Sequence, residues 1–127
     1  MEKLNLVPAF KDDRGQITDL LENENINAVT VITFVRGAVR ANHFHKLTTQ
    51  WNYLISGKIK LVTQAPGGPL VETIMMPGDF IVTGPNVSHA LVALEESSLM
   101  VFARGPRGGR GYENDTFRLE TPLATGI

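Results

Sequence analysis

Apolar and polar residues along this chain fall into short runs, cut at close intervals by turn residues. Ala28–Val35 (AVTVITFV) is a β-branched run closed by Arg36-Gly37. Gln50–Ile55 (QWNYLI) ends at Ser56-Gly57, and Lys58–Thr63 (KIKLVT) resumes with polar and apolar residues alternating. Two such runs around a Ser-Gly turn predict a hairpin. Ala65–Pro69 (APGGP) is a second turn, Leu70–Met76 a further strand, and Pro77-Gly78-Asp79 a third turn. Phe80–Thr83, Ser88–Leu94 and Ser98–Ala103 complete the set, with Thr116–Leu119 as a final strand. Only Thr18–Asn25 (TDLLENEN) reads as a helix. Short strands with turn signals every roughly eight to twelve residues predict an all-β sandwich or barrel.

The period of two also sorts side chains by face. Val39, Ala41, His43 and His45 share one face, and Arg40, Asn42 and Phe44 take the other. Gln50, Asn52 and Leu54 share a parity, while Trp51 and Tyr53 point away from them. His89 arrives with Leu91 and Ala93 on its face. Phe34, Phe80, Phe102, Met75 and Met76 are core candidates.

The chain has 127 residues, one domain over 1–127 able to bury a core without staples. It has no cysteine, which excludes disulfides, thiolate metal sites and cysteine nucleophiles. Its net charge of −1 argues against nucleic acid as a main partner. No apolar run approaches the roughly 20 residues that span a bilayer. The N-terminal MEKLNLVPAFKDDRG lacks the apolar core of a signal peptide, so a cytoplasmic location is expected. Arg104–Asp115 (RGPRGGRGYEND) reads as a loop. In it Arg104, Arg107 and Arg110 recur every three residues, as an anion-binding segment or a solvated connection.

The candidate chemistry lies in the histidines. All three fall on one pattern, His43-x-His45 and then His89. Imidazole is the commonest neutral metal ligand, and residues i and i+2 on a strand share a face. With Gln50 from the next strand, His43, His45 and His89 make a candidate site for a divalent metal. Such N/O ligation suits Fe, Mn, Ni, Co or Zn, with ligand nitrogens about 2.0–2.3 Å from the ion, and the sequence does not choose among them. Without a metal, Gln50 is a hydrogen-bond partner and His43 or His45 a general base.

These residues carry a resemblance. The first motif of the cupin family is G-x5-H-x-H-x3–4-E-x6-G. The chain reads Gly37-AVRAN-His43-Phe44-His45-KLTT-Gln50-WNYLIS-Gly57, matching every spacing with Gln in place of Glu. The second motif is G-x5-P-x-G-x2-H-x3-N. Gly78-DFIVTGPNVS-His89 keeps the Gly-to-His distance, with the proline displaced to Pro85 and Asn86 where a second glycine is usual. Ala93 replaces the closing Asn. The match covers about residues 28–103. It implies a small antiparallel β-barrel of cupin, or jelly-roll, type with the metal site inside, often dimeric. A neutral Gln50 would leave the ion its full charge, binding it more weakly and making it a stronger Lewis acid.

A narrower resemblance concerns sugars. Asp13-Arg14-Gly15, Gly37-Ala38-Val39-Arg40 and His43-x-His45-Lys46 with Gln50 are similar to cupin-type nucleotide-sugar epimerases and ketoisomerases, enzymes that need no metal. That likeness implies His43 or His45 as the catalytic base that removes a proton α to a keto group. It implies Arg40 as the residue binding substrate oxyanions, although parity puts Arg40 outside unless a bulge turns it in. Asn52 and Tyr112 join it as candidate substrate contacts, Tyr112 as a phenol at the barrel mouth. Asp13-Arg14-Gly15 reads equally well as a turn. Three functions are therefore open: a metal-binding isomerase or epimerase acting on a small carbohydrate-like or keto substrate, a non-haem metal-dependent dioxygenase, and a non-catalytic sugar- or metabolite-binding cupin. A homodimer is expected, because Trp51, Tyr53 and Phe44 on outward faces would expose a large aromatic patch.

Overall fold

Alternation along the strands sets what each sheet turns inward, and the sheets close on that face. The computed structural model describes residues 1–108 and 110–127. Short strands lie near the N-terminus at β1 (Glu2–Leu4), β2 (Phe10–Asp12) and β3 (Gly15–Ile17). The main strands are β4 (Ala28–Phe34), β5 (Val39–Phe44), β6 (Thr49–Ser56), β7 (Ile59–Gln64) and β8 (Leu70–Met75). They continue with β9 (Phe80–Thr83), β10 (Ser88–Ala93) and β11 (Ser97–Arg104). The one helix among the described residues is α1 (Gly111–Asn114), followed by β12 (Phe117–Arg118).

One sheet has the order β1-β9-β6-β11-β4, the other β12-β5-β10-β7-β8, and β2-β3 is a separate hairpin. All pairings are antiparallel. The expected all-β architecture is the one observed, a β-sandwich barrel of jelly-roll type. Turn chemistry holds where the sequence placed it. Asn86, standing where a glycine is usual, takes φ 66° and keeps the turn before β10.

Inward side chains change from polar to apolar along each strand. Gln50 and Asn52 precede Leu54 on β6, His89 precedes Leu91 and Ala93 on β10, and Thr63 follows Ile59 and Leu61 on β7. Antiparallel pairing puts like with like: His89 opposite Thr63, Leu91 opposite Leu61, Ala93 opposite Ile59. One end of the interior is therefore an apolar floor of Phe34, Leu54, Ile59, Leu61, Met75, Ile81, Leu91, Leu99 and Val101. The other end holds the polar groups.

Several expectations need correction. Thr18–Asn25 forms no helix. A segment that short gains little from helix hydrogen bonds alone, Asn23 sits at φ 57°, and Leu20 and Leu21 are half-buried in irregular chain. Arg104–Asp115 is not wholly loop, since it contains α1 and the end of β11. Met76, one past the inward Met75, is exposed, and Phe102 is only half-buried. The aromatic patch does not exist. Trp51 is 6% exposed beneath the Arg104 guanidinium, 5.3 Å from the ring centroid. Phe44 stacks on Phe117 at 5.3 Å, and Tyr53 packs on Phe80 at 6.1 Å.

The turn glycines offer a direct test. Gly57 lies at φ +91°, and a Cβ there would overlap the Glu96 carbonyl oxygen and Ser97. Gly78 lies at φ +92°, but a Cβ there would meet nothing within 4 Å. Gly78→Ala should cost only the left-handed conformation, about 1–2 kcal/mol. Gly57→Ala adds the overlap and should cost about 3 kcal/mol or more. Urea unfolding of the two variants checks the order; equal losses would contradict it.

Candidate functional site

Three buried imidazoles meet at the polar end of the interior. His43 on β5 pairs directly with His89 on β10, so both side chains project to the same side. His45 lies just past β5, where its carbonyl accepts the Asn86 N–H at 2.6 Å. Ring centroids stand 4.7 Å apart for His43–His45, 4.8 Å for His43–His89 and 5.4 Å for His45–His89. One nitrogen from each ring lies within 4.8 Å of the others. Gln50 lines the same cavity, as do Arg40, Asn52, Tyr112, Thr116 and Arg118. The cavity measures about 380 Å³, room for a small ligand.

Hydrogen bonds set which nitrogens are bare. The His45 Nδ1–H donates to the Asp115 carbonyl at 2.8 Å, since a carbonyl can only accept. The His89 Nδ1–H donates to the Val87 carbonyl at 3.0 Å in the same way. Their Nε2 atoms therefore carry lone pairs. His45 Nε2 and His43 Nδ1 are buried and have no partner among the described residues. Burial pushes the His43 ring down to about 3, helped by the neighbouring His89, His45 and Arg118 charges. Burial likewise pushes His89 down to about 4, against the Val87 hydrogen bond and with a contribution from His45. Both rings are neutral at physiological pH.

This donor set fits a divalent metal. Two imidazoles are oriented by backbone carbonyls, as metal-ligating histidines commonly are, and bare nitrogens face one another. Ligands about 2.1 Å from an ion lie at most about 4.2 Å apart, so the rings would have to close slightly from their present spacing. Gln50 would be the candidate oxygen donor from the facing sheet.

Arg40 shows where simple parity fails. Along β10 the partner steps from His43 opposite His89 to Ala41 opposite Ala90, leaving Asn42 as an extra residue. Ala41 and Asn42 both take left-handed φ, 71° and 55°. The bulge restores Arg40 to the side of His43, opposite Leu91, and Arg40 lines the cavity. The bulge that the sequence reading allowed for is present, and Arg40 lines the cavity at its open side, where it remains exposed. Its guanidinium reaches the Thr33 carbonyl of β4 at 3.4 Å and lies over Phe34 at 5.4 Å, across the seam between the two sheets.

The remaining candidates divide. Tyr112 sits on α1 with its ring 5.5 Å from His45 and 6.5 Å from His43, and the Arg107 guanidinium covers its face at 4.5 Å. Asn52 faces the cavity, but its amide N–H donates to the Ile81 carbonyl at 3.0 Å and to Thr83 Oγ1 at 3.4 Å. The three loop arginines do not gather on one anion. Arg104 pairs with Glu24 at 3.1 Å, Arg107 donates to Thr30 Oγ1 at 3.0 Å, and Arg110 stands at the N-cap position of α1 without a side-chain capping bond. Asp13-Arg14-Gly15 is a hairpin turn in which Arg14 pairs with Asp12 at 2.6 Å, and it does not line the cavity.

Asp115 is the residue that sequence reasoning missed. Besides orienting His45 through its carbonyl, its carboxylate accepts from the Lys46 and Leu47 N–H groups at 3.0 and 3.1 Å and from Thr48 Oγ1 at 2.7 Å. Burial works to raise its pKa, but the Thr48, Lys46 and Leu47 hydrogen bonds outweigh it and hold the carboxyl below its ordinary value. Its partners lie about seventy residues away, and only its place in a polar stretch just before the last strand hinted at it.

A family model described as Cupin matches residues 16–117. A search of curated proteins finds no match. Among solved structures, a sugar 3,4-ketoisomerase from Thermoanaerobacterium thermosaccharolyticum in complex with TDP is similar at TM-score 0.73 and 22% identity, over 93% of this chain and 85% of that one. The TDP-quinovose 3,4-ketoisomerase of Campylobacter jejuni is similar at TM-score 0.79 and 20% identity, over 93% and 92%. The dTDP-4-dehydrorhamnose 3,5-epimerase of Sulfolobus tokodaii is similar at TM-score 0.70 and 18% identity, over 90% and 72%. At these identities the likeness shows a shared fold.

The neutral histidines predict a pH dependence of stability. Above about pH 6.5 His43 and His89 are neutral in both folded and unfolded chains. Below it the unfolded chain takes up protons that the folded chain refuses, so stability falls with pH until about 4 for His89 and about 3 for His43. Each histidine contributes about 1.4 kcal/mol per pH unit inside that window. Asp115, held low, loses its contribution only as pH falls further. Urea midpoints should drop between pH 7 and pH 5, and a His43→Asn/His89→Asn variant should flatten the drop.

Proposed function

The chain belongs to the cupin family, and we propose that it is a sugar-related isomerase or epimerase that moves a proton next to a keto group. The observation that carries this reading is His45. Its ring is 2% exposed, its Nδ1–H is bound to the Asp115 carbonyl, and its buried Nε2 has no partner among the described residues, while His43 and His89 beside it line the cavity. His43, whose ring lines the cavity and is pushed down to about 3 by burial, remains the alternative. The fold likeness to enzymes described as sugar ketoisomerases and a sugar-nucleotide epimerase supports the substrate class.

In the proposed reaction, His45 Nε2 removes the hydrogen from the carbon beside the ketone. The electron pair of that C–H bond forms a C=C bond, and the carbonyl π pair moves onto oxygen. The Tyr112 phenol stands near enough to the histidines to donate a proton to that oxygen. The Asp115 carbonyl steadies the imidazolium that proton uptake creates. Return of a proton to the former carbonyl carbon, with loss of the proton from the hydroxyl on the carbon first deprotonated so that its C–O bond becomes C=O, isomerises the ketone; return to the opposite face of the carbon first deprotonated, with the enol O–H proton going back to Tyr112, epimerises it. Arg40 at the seam and Arg118 at the cavity would hold substrate anions such as a diphosphate, and Asn52 Oδ1 is placed for a hydroxyl. A homodimer is part of this reading, and Val29 and Val31, exposed on the outward face of β4, are its candidate contacts. Its cellular place in this reading is the cytoplasm.

A second reading rests on the same bare nitrogens. His43, His45, His89 and Gln50 would hold a divalent ion, which would supply Lewis acidity for enolisation or oxygen chemistry of the dioxygenase type. His45 Nε2 cannot ligate a metal and accept a proton at once, so metal content separates the readings. A third, binding without turnover, is left if neither chemistry is found.

Two measurements decide. With TDP-4-keto-6-deoxyglucose in deuterium oxide, the wild type should incorporate deuterium next to the ketone. His45→Asn should lose at least about a hundredfold in that exchange, and Arg40→Ala should raise KM with little change in kcat. Unchanged exchange in His45→Asn would remove the proposed base. For the metal reading, titration of Gln50→Glu should show tighter binding than wild type, because a carboxylate attracts a dication more than an amide does. Gln50→Ala should weaken binding less than His45→Ala, because water can replace the amide. Equal affinities for wild type and Gln50→Glu would mean that Gln50 does not touch an ion.

A further inference from the structure

The bulge that turns Arg40 inward is held from outside the barrel. Ala41 and Asn42 both lie in the left-handed region, at φ 71° and 55°. Asparagine tolerates that region; alanine has no such preference, so the pair persists only where its surroundings enforce it. Those surroundings are the C-terminal tail. β12 pairs with the far half of β5, Phe117 opposite Phe44 and Arg118 opposite His43. Beyond it the Leu119 N–H donates to the Asn42 carbonyl at 3.0 Å. Asn42 Oδ1 accepts the Leu123 N–H at 2.8 Å and the Ala124 N–H at 3.2 Å, and its Nδ2 donates to the Ala124 carbonyl at 2.9 Å. Four hydrogen bonds from the tail converge on this single residue of β5.

We propose that Asn42 is a positioning residue: its clasp on residues 119–124 locks the Ala41–Asn42 bulge and so keeps Arg40 in the cavity. The reason is the strand's own geometry. In a regular strand residues 40 and 43 face opposite sides, and only the extra residue puts both with Leu91 and His89. If the clasp opens, the strand can relax toward regular pairing, and Arg40 then leaves the side of His43. The histidine cluster does not depend on the clasp, because His43 is registered by His89 and His45 by Asp115. The tail would thus govern anion binding without touching the bare nitrogens. The consequence for ligand binding rests on the reading of Arg40 given above; the coupling of tail to bulge does not.

The test acts from the tail alone. Leu123→Pro/Ala124→Pro removes the two N–H donors to Asn42 Oδ1 and alters no residue of the barrel or cavity. Its φ at Ala41 and Asn42 is read from three-bond amide–α-proton couplings, and its affinity for thymidine diphosphate by calorimetry. The couplings should move to extended values. Affinity should fall at least tenfold, as in Arg40→Ala, and adding Arg40→Ala to the tail variant should cause no further loss. Asn42→Asp, which keeps the acceptor for both tail amides but sets a carboxylate oxygen against the Ala124 carbonyl, should bind more weakly than wild type and no worse than the tail variant. Unchanged couplings in the tail variant would overturn the proposal, as would changed couplings with full affinity when Arg40→Ala binds weakly. Changed couplings with full affinity in both variants would support the clasp and instead remove Arg40 from substrate binding.

Discussion

Two backbone carbonyls hold the site in its working form. A buried imidazole must give its N–H to something, and in His45 and His89 the acceptors are Asp115 and Val87. Each bond holds the proton on Nδ1 and so leaves Nε2 as the bare nitrogen. Imidazoles packed this closely disfavour charge on one another, and burial strengthens the effect for His43 and His89. His43 and His89 are therefore neutral bases at the polar end of the barrel, held so first by burial. Chemistry there begins from lone pairs, whether they meet a proton or a metal ion.

The apolar floor makes that cluster possible. Inward positions along β6, β7 and β10 pass from polar to aliphatic over two or three steps, and antiparallel pairing aligns these gradients between neighbours. Core and cavity are two ends of one interior. A change at Leu91 would be felt at His89 because both project from one short strand, and Leu91 lines the cavity as well as packing in the core.

Much of this was legible from period and spacing. His43, His45, His89 and Gln50 share inward faces because a strand alternates, and the glycine spacings of both motifs place the strands. What was not legible has physical causes. The bulge is written as Ala41-Asn42, with no glycine or proline to mark it, and its extra residue brings Arg40 to the side of His43. The outward aromatics looked exposed because their covers, Arg104 tied to Glu24 and Phe117, lie far away in sequence. Asp115 gave no pattern because its partners are at 45–48. Thr18–Asn25 shows the reverse error, good local propensity with too little length to hold a helix.

Asp115 also fixes when the site can exist. It contacts His45 across seventy residues of chain and belongs to the same terminal stretch as Tyr112 and Arg118. During synthesis the histidine strands emerge long before the residues that orient and surround them. A nascent barrel can pair β5 with β10 while His45 has no acceptor and the turn at 46–48 no cap. Closing a loop of that length costs entropy, and the contact cannot form before Asp115 has been made. Docking of that segment thus decides which nitrogen of His45 carries the proton and which is left bare.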